Sequence, residues 1–181
     1  MRRTPVPAES RRWQRCTVDP MDRVRRILPR WLGGYPPDNI FWLTPSLAVG
    51  GEVMVLYPRG LQRLGIGAVL DLQAESEDRS SEYAASSLTY LKLPVGDFGA
   101  PSPEQLDIAT AWVLDRMQRD ERVFVHCRVG LGRSATVAIA TLLRMGYELP
   151  DAYNTVRELR AEIALSEPQL TALRRFAEGP K

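Results

Sequence analysis

A chain of 181 residues with 44% hydrophobic and 25% charged content has the make-up of one compact domain, long enough to bury a core. Its two cysteines, Cys16 and Cys127, exclude a disulfide scaffold, and with a single histidine they exclude a zinc site. The net charge of +2 is unevenly spread: residues 1–30 hold nine arginines against Glu9, Asp19 and Asp22, a net of +6, so the remainder is −4.

The first segment in chain order, residues 1–34, reads as a basic arm. Up to residue 19 it is rich in proline and arginine, with little apolar periodicity. Val24, Ile27, Leu28, Trp31 and Leu32 then fall at helical spacing among Arg23, Arg25, Arg26 and Arg30, and Pro29 makes any helix short or bent. Such a stripe suits either an anionic membrane interface or packing on its own domain. Lys92 and Lys181 are the only lysines, so arginine richness also fits a compositional bias. Gly33 to Pro37 form a hinge into the domain proper, residues 35–181. No apolar stretch approaches the roughly 18 residues a membrane span needs, and no secretory leader is visible. An intracellular location is expected, cytoplasmic first, with mitochondria or a membrane surface as alternatives; no nucleic-acid partner is expected.

Strands and helices alternate beyond the hinge, which predicts an α/β fold: a central, mostly parallel sheet flanked by helices on both faces. Strands are expected at Asn39–Trp42, Leu47–Val49, Ala68–Leu72, Tyr90–Leu93 and Arg122–His126. Helices are expected at Glu52–Leu64, Pro103–Arg119, Ser134–Met145, Pro150–Arg160 and Glu167–Ala177. Ser102-Pro103-Glu104-Gln105 and Ser166-Glu167-Pro168-Gln169 both read as capping boxes. Ligands of such folds bind at the carboxyl ends of the strands.

Cys127 stands at such an end, within His126-Cys127-Arg128-Val129-Gly130-Leu131-Gly132-Arg133-Ser134. A glycine-rich turn from strand to helix aims backbone N–H groups at one point and adds the positive end of a helix dipole. A thiol held there tends to ionise, and Arg133 can grip two oxygens of an anion with its planar fork. These residues read as phosphoryl transfer through cysteine. His126, one strand position away, should face the opposite side of the sheet, so a structural role as a partly buried imidazole near the loop is preferred to direct catalysis. Ser134 suits either a hydrogen bond to the thiolate or a plain helix cap.

With histidine set aside, the proton donor has to be a carboxylate. Asp97 follows a strand, is flanked by Gly96 and Gly99, and precedes the capped helix at Pro103, which puts it on a mobile loop at the cysteine's edge of the sheet. An acid that donates near neutral pH needs a raised pKa, which a nearby thiolate and phosphate favour. Asp71 and Asp107 lack this context. Arg157 and Arg160 read as ion-pairing or surface residues, or else as a basic rim for the pocket.

The nine-residue loop resembles the signature of the protein tyrosine phosphatase superfamily. Its spelling, His-Cys-x-x-Gly-x-Gly-Arg-Ser, is most similar to the dual-specificity branch, and the likeness covers roughly residues 36–178. The segment around Asp97 resembles the general-acid loop of that branch. The resemblance implies the cysteine-phosphatase fold and hydrolysis of phosphate monoesters through a phosphocysteine, without metal or other cofactor. Residues 128–133 would hold the phosphate. Phosphotyrosine, phosphoserine and phosphothreonine in proteins are the first expected substrates. The Gly-Leu-Gly-Arg-Ser run, the Asp-Phe-Gly-Ala-Pro-Ser run and the basic lead-in are also similar to mitochondrial-type phosphatases. That second likeness makes a phospholipid, phosphatidylglycerophosphate or a phosphoinositide, the alternative substrate. One charge among Arg128, Val129, Leu131 and Gly132 speaks against highly charged head groups. A catalytically dead phosphobinding module and a rhodanese-like sulfurtransferase are the remaining classes.

Overall fold

The computed structural model describes residues 39–53 and 58–179, so the expectations for the 1–34 arm and its hinge lie outside the described residues. Among the described residues five strands form one sheet: β1 Ile40–Trp42, β2 Leu47–Gly51, β3 Ile66–Gln73, β4 Thr89–Val95 and β5 Arg122–Cys127. Their spatial order is β1-β2-β5-β3-β4, antiparallel between β1 and β2 and parallel elsewhere. The sheet is therefore mostly parallel, with β5 at its centre.

Strand alternation sorts the core into two layers. Val123, Val125 and Cys127 of β5 join the larger cluster, while Phe124 joins the smaller one on the other face. The larger cluster is covered by α3 (Pro103–Gln118), α4 (Arg133–Arg144), α5 (Leu149–Leu159) and α6 (Glu167–Glu178). The smaller lies under α1 (Arg59–Arg63) and α2 (Ser80–Ala85), through Leu61 and Tyr83. Helices cover both faces, unequally.

Three differences from the expected elements have physical reasons. Of the helix expected over Glu52–Leu64, Arg59–Arg63 is helical and Glu52 and Val53 are not, while residues 54–57 lie outside the described residues. Pro58 is the N-cap of this helix, and the missing N–H and fixed φ of proline suit a helix start and oppose an interior position. Helix α2 was not expected: Tyr83 is its only buried residue, too few to display a period of 3.6. Strand β4 runs on through Pro94 to Val95, past the expected end at Leu93. It is an edge strand, so a missing N–H costs no ladder bond.

Candidate active site

Four of the segments that follow strands β2 to β5 meet at one edge of the sheet, and the site is built from them. Strand β5 delivers Cys127 opposite Gly51 of β2, and the chain turns through residues 128–132 into α4. Gly132 stands at the N-cap of α4 with no side-chain cap, so the first-turn N–H groups remain free for a ligand. Gly130 has φ of 83°, and a Cβ there would lie 2.3 Å from the carbonyl carbon of Gly50. Only glycine fits both the backbone conformation and that approach. Gly50 and Gly51 are equally crowded, against the Asn39 and Val129 backbones.

The carbonyls of the turn are drawn outward. Arg128 O accepts from Glu52 N at 3.0 Å, Val129 O from Arg160 Nη2 at 3.1 Å, and Leu131 O from Ala164 N at 3.2 Å. A peptide whose C=O points out turns its N–H in. The Gly130 N–H points to Cys127 Sγ at 3.2 Å. The thiol is 2% exposed and also lies 3.4 Å from Ser134 Oγ. That hydroxyl is 3.0 Å from Gly50 O, so its one proton serves either the sulfur or the carbonyl.

Arg133, the first residue of α4, is 2% exposed. Its fork is bidentate on Glu75, Nη1 to Oε2 and Nη2 to Oε1, both at 2.7 Å. Nη1 also donates to Val95 O at 2.9 Å, and Nη2 to Asp97 Oδ1 at 2.9 Å. Those hydrogen bonds pull the Glu75 carboxyl from its ordinary 4.5 down to about 2, and Glu75 in turn raises Arg133. Asp97 is thus brought to the same guanidinium that faces the cysteine loop. Its loop accepts hydrogen bonds at Pro94 O, Phe98 O and Gly99 O.

His126 is more deeply placed than expected, at 1% exposure, and stacks on Phe124 with centroids 5.3 Å apart. It shares the face of Phe124, opposite the Cys127 thiol. Burial pushes its pKa down, which favours the neutral imidazole. Asp71 is buried and bonded to Tyr90, Lys92, Ser76 and the Gln73 N–H. Asp107 pairs with Arg144 on the surface. Among the described residues no carboxylate forms an ion pair with Arg160, which is partly buried. It lies 4.6 Å over the Phe41 ring and bridges Asn39 Oδ1 to Val129 O, bracing the turn from behind. Arg128 and Val129 of the turn are exposed, as is Phe98 of the Asp97 loop at 80%.

Sequence reasoning missed Glu75. It sits in a run, Glu75-Ser76-Glu77-Asp78, that looks like a solvated loop. The available signal was position: the run follows β3 at the same edge as Cys127. Among the described residues no group of three or more His, Cys, Asp or Glu side chains is placed to hold a metal ion. No helix among them is long and apolar enough to cross a membrane.

A buried cysteine at the end of a central parallel strand, an amide-lined turn and a buried arginine opening the next helix define the class of cysteine-based phosphatases. Residues 48–178 match the family model "Dual specificity phosphatase, catalytic domain", and the chain belongs to that family. Among curated relatives, phosphatidylglycerophosphate phosphatase PTPMT2 of Arabidopsis thaliana is 29% identical over 121 residues, 65% of this chain and 53% of that protein. Human dual specificity protein phosphatase 16 is 33% identical over 124 residues, 67% of this chain and 18% of that protein. The chain therefore spans about half or less of these relatives' length. The crystal structure of Tk-PTP in the active form superposes with a TM-score of 0.72 at 27% identity, covering 80% of this chain and all of that one. PTPMT1 in complex with PI(5)P superposes at 0.71, covering 78% and 96%; at 21% identity it speaks for the fold alone.

Proposed function

We propose that the protein hydrolyses phosphate monoesters through a phosphocysteine at Cys127. The observation that carries this reading is the placement of the Cys127 sulfur in a turn whose carbonyls at 128, 129 and 131 are all engaged from outside. The inward amides and the α4 N-terminus leave a site for the oxygens of an anion directly over the nucleophile. Arg133 adds its charge, held in orientation by Glu75.

In the first step Cys127 Sγ attacks phosphorus, the S–P bond forms and the P–O bond to the leaving group breaks. The amides of residues 128–133 and Arg133 hold the three remaining oxygens. Asp97 gives up Arg133 Nη2 to the phosphate, takes up a proton, and delivers it to the leaving oxygen. Water then attacks the phosphocysteine, with Asp97 accepting its proton, and the Ser134 hydroxyl donates to the departing thiolate. His126, buried on the other face, holds the strand and takes no part in proton transfer.

Phosphorylated proteins are the favoured substrates. The turn carries a single charged variable position, Arg128, next to the exposed Val129, and the Asp97 loop exposes Phe98, which suits a phosphorylated side chain with apolar flanks. A phospholipid phosphate ester is the second reading, supported by the relative that acts on phosphatidylglycerophosphate and by the same exposed apolar side chains. Cys127→Ser should abolish turnover and retain binding of phosphate esters; undiminished turnover in that variant removes the assignment. Rates of the wild type on phosphotyrosine, phosphothreonine and phosphoserine peptides, phosphoinositides and phosphatidylglycerophosphate decide between the substrates.

A further inference from the structure

The two capping boxes do more than cap. In a capping box the Ser side chain accepts the N3 backbone N–H, and the N3 side chain accepts the N-cap N–H. At α3, Gln105 Oε1 accepts Ser102 N at 2.9 Å; at α6, Gln169 Oε1 accepts Ser166 N at 2.9 Å. Each role uses only the oxygen of the glutamine, so glutamate would cap equally well. The leftover amide groups converge on one target. Gln105 Nε2 donates to Pro94 O at 2.9 Å, and Gln169 Nε2 donates to Gly99 O at 2.8 Å. The Ser166 hydroxyl, while accepting from Gln169 N, donates to Phe98 O at 2.9 Å.

Three donors from two helix starts thus bracket residues 94–99, the loop that carries Asp97. The bracket holds a strained backbone: Phe98 has φ of 57°, in the left-handed region that an aromatic residue rarely adopts. Its own carbonyl and that of Gly99 are the two tied to α6. The start of α6 also touches the cysteine turn. Gln169 is 2% exposed and both polar atoms of its amide lie 3.0 Å from where a Cβ on Gly132 would stand, while Ala164 N holds Leu131 O. One helix terminus therefore fixes both the loop of the nucleophile and the loop of Asp97.

We propose that Gln105, Ser166 and Gln169 are positioning residues that set Asp97 over the phosphate site before substrate arrives. This rests on the reading of Asp97 as the proton donor. The amide, rather than a carboxylate, at the third position of each helix is then a requirement of the reaction and not of helix stability.

The test uses substitutions that keep the caps and delete the donors. Gln105→Glu retains the capping acceptor, and Ser166→Asp retains an N-cap oxygen, but neither can donate to the loop. The double variant is compared with wild type, Ser166→Thr and Asp97→Asn on aryl phosphates of graded leaving-group pKa, alongside thermal midpoints. Positioning predicts a loss in kcat/KM of about tenfold or more for poor leaving groups and little loss for good ones, with an unchanged midpoint. Ser166→Thr, which keeps a hydroxyl donor, should stay near wild type. A loss equal across all leaving groups, or no loss, overturns the proposal. Should Asp97→Asn show the steep dependence and the double variant not, the positioning role alone falls. Should Asp97→Asn itself be flat, the acid assignment falls and the positioning role with it. If the double variant does not fold, Gln105→Glu alone is read by the same criterion.

Discussion

Replacing Glu75 by Gln probes the coupling between this site and the stability of the fold. The carboxylate is bidentate on a guanidinium whose side chain is 3% exposed, while its own side chain is 28% exposed. Its pKa falls from 4.5 to about 2. At 1.36 kcal/mol per unit that is a ceiling of about 3 kcal/mol. Contact with water screens the pair, and roughly half of the ceiling is a fair expectation. Losing the partner of a buried cation adds to the cost, tempered because Val95 O and Asp97 remain on Arg133. Glu75→Gln should therefore destabilise by about 1–3 kcal/mol at pH 7, lowering the thermal midpoint by roughly 3–9 °C. A depressed folded pKa contributes stability fully above 4.5, and that contribution drains away as pH falls towards 2. Urea titrations from pH 7 to pH 3 should show the two proteins converging as acid is added. A gap that stays constant down to pH 3 refutes the argument, because the bond would then owe nothing to the charge on Glu75.

Ser134→Ala should slow hydrolysis of the phosphocysteine more than its formation, and a pre-steady-state burst of leaving group should appear or grow. Gly130→Ala forces a Cβ to 2.3 Å from Gly50 at a φ of 83°. It should weaken inhibition by vanadate or inorganic phosphate on the order of a hundredfold, read from inhibition constants. Arg160→Met removes the donor to Val129 O while keeping a stem to cover Phe41. An increase in KM of roughly five- to tenfold with near-constant kcat is expected, corresponding to one lost hydrogen bond in the phosphate turn.

Much of the sheet was legible because buried parallel strands advertise themselves. Ile66–Gln73 and Arg122–Cys127 are short apolar runs bounded by turn residues, and both appear within two residues of expectation. Cys127 and Arg133 were legible because their turn is contiguous in sequence. Glu75 and Arg160 were not, since their partners lie 58 and 31 residues away and no local pattern marks a carboxylate that will meet a particular arginine. The capping boxes were readable as helix starts from Ser102 and Ser166. Their second set of hydrogen bonds was not, because it depends on where β4 ends relative to two separate helices. Pairing across the fold, rather than residue type, carried the missing information.

The outward pull on the carbonyls of Arg128, Val129 and Leu131 has a bearing on how the protein should respond to its ionic surroundings. Fixed peptide dipoles pointing into a small recess attract an anion at contact range, well inside the roughly 8 Å over which physiological salt damps surface charges. Counter-ions have little room to accumulate around dipoles locked by packing, and the positive charge of Arg133 is itself buried. Capture of the phosphate group should therefore tolerate added salt. Sensitivity to ionic strength should come instead from whatever the rest of a substrate touches outside the recess, where Arg128 stands exposed. How steeply turnover falls with salt thus separates the grip on the phosphate from the grip on its carrier.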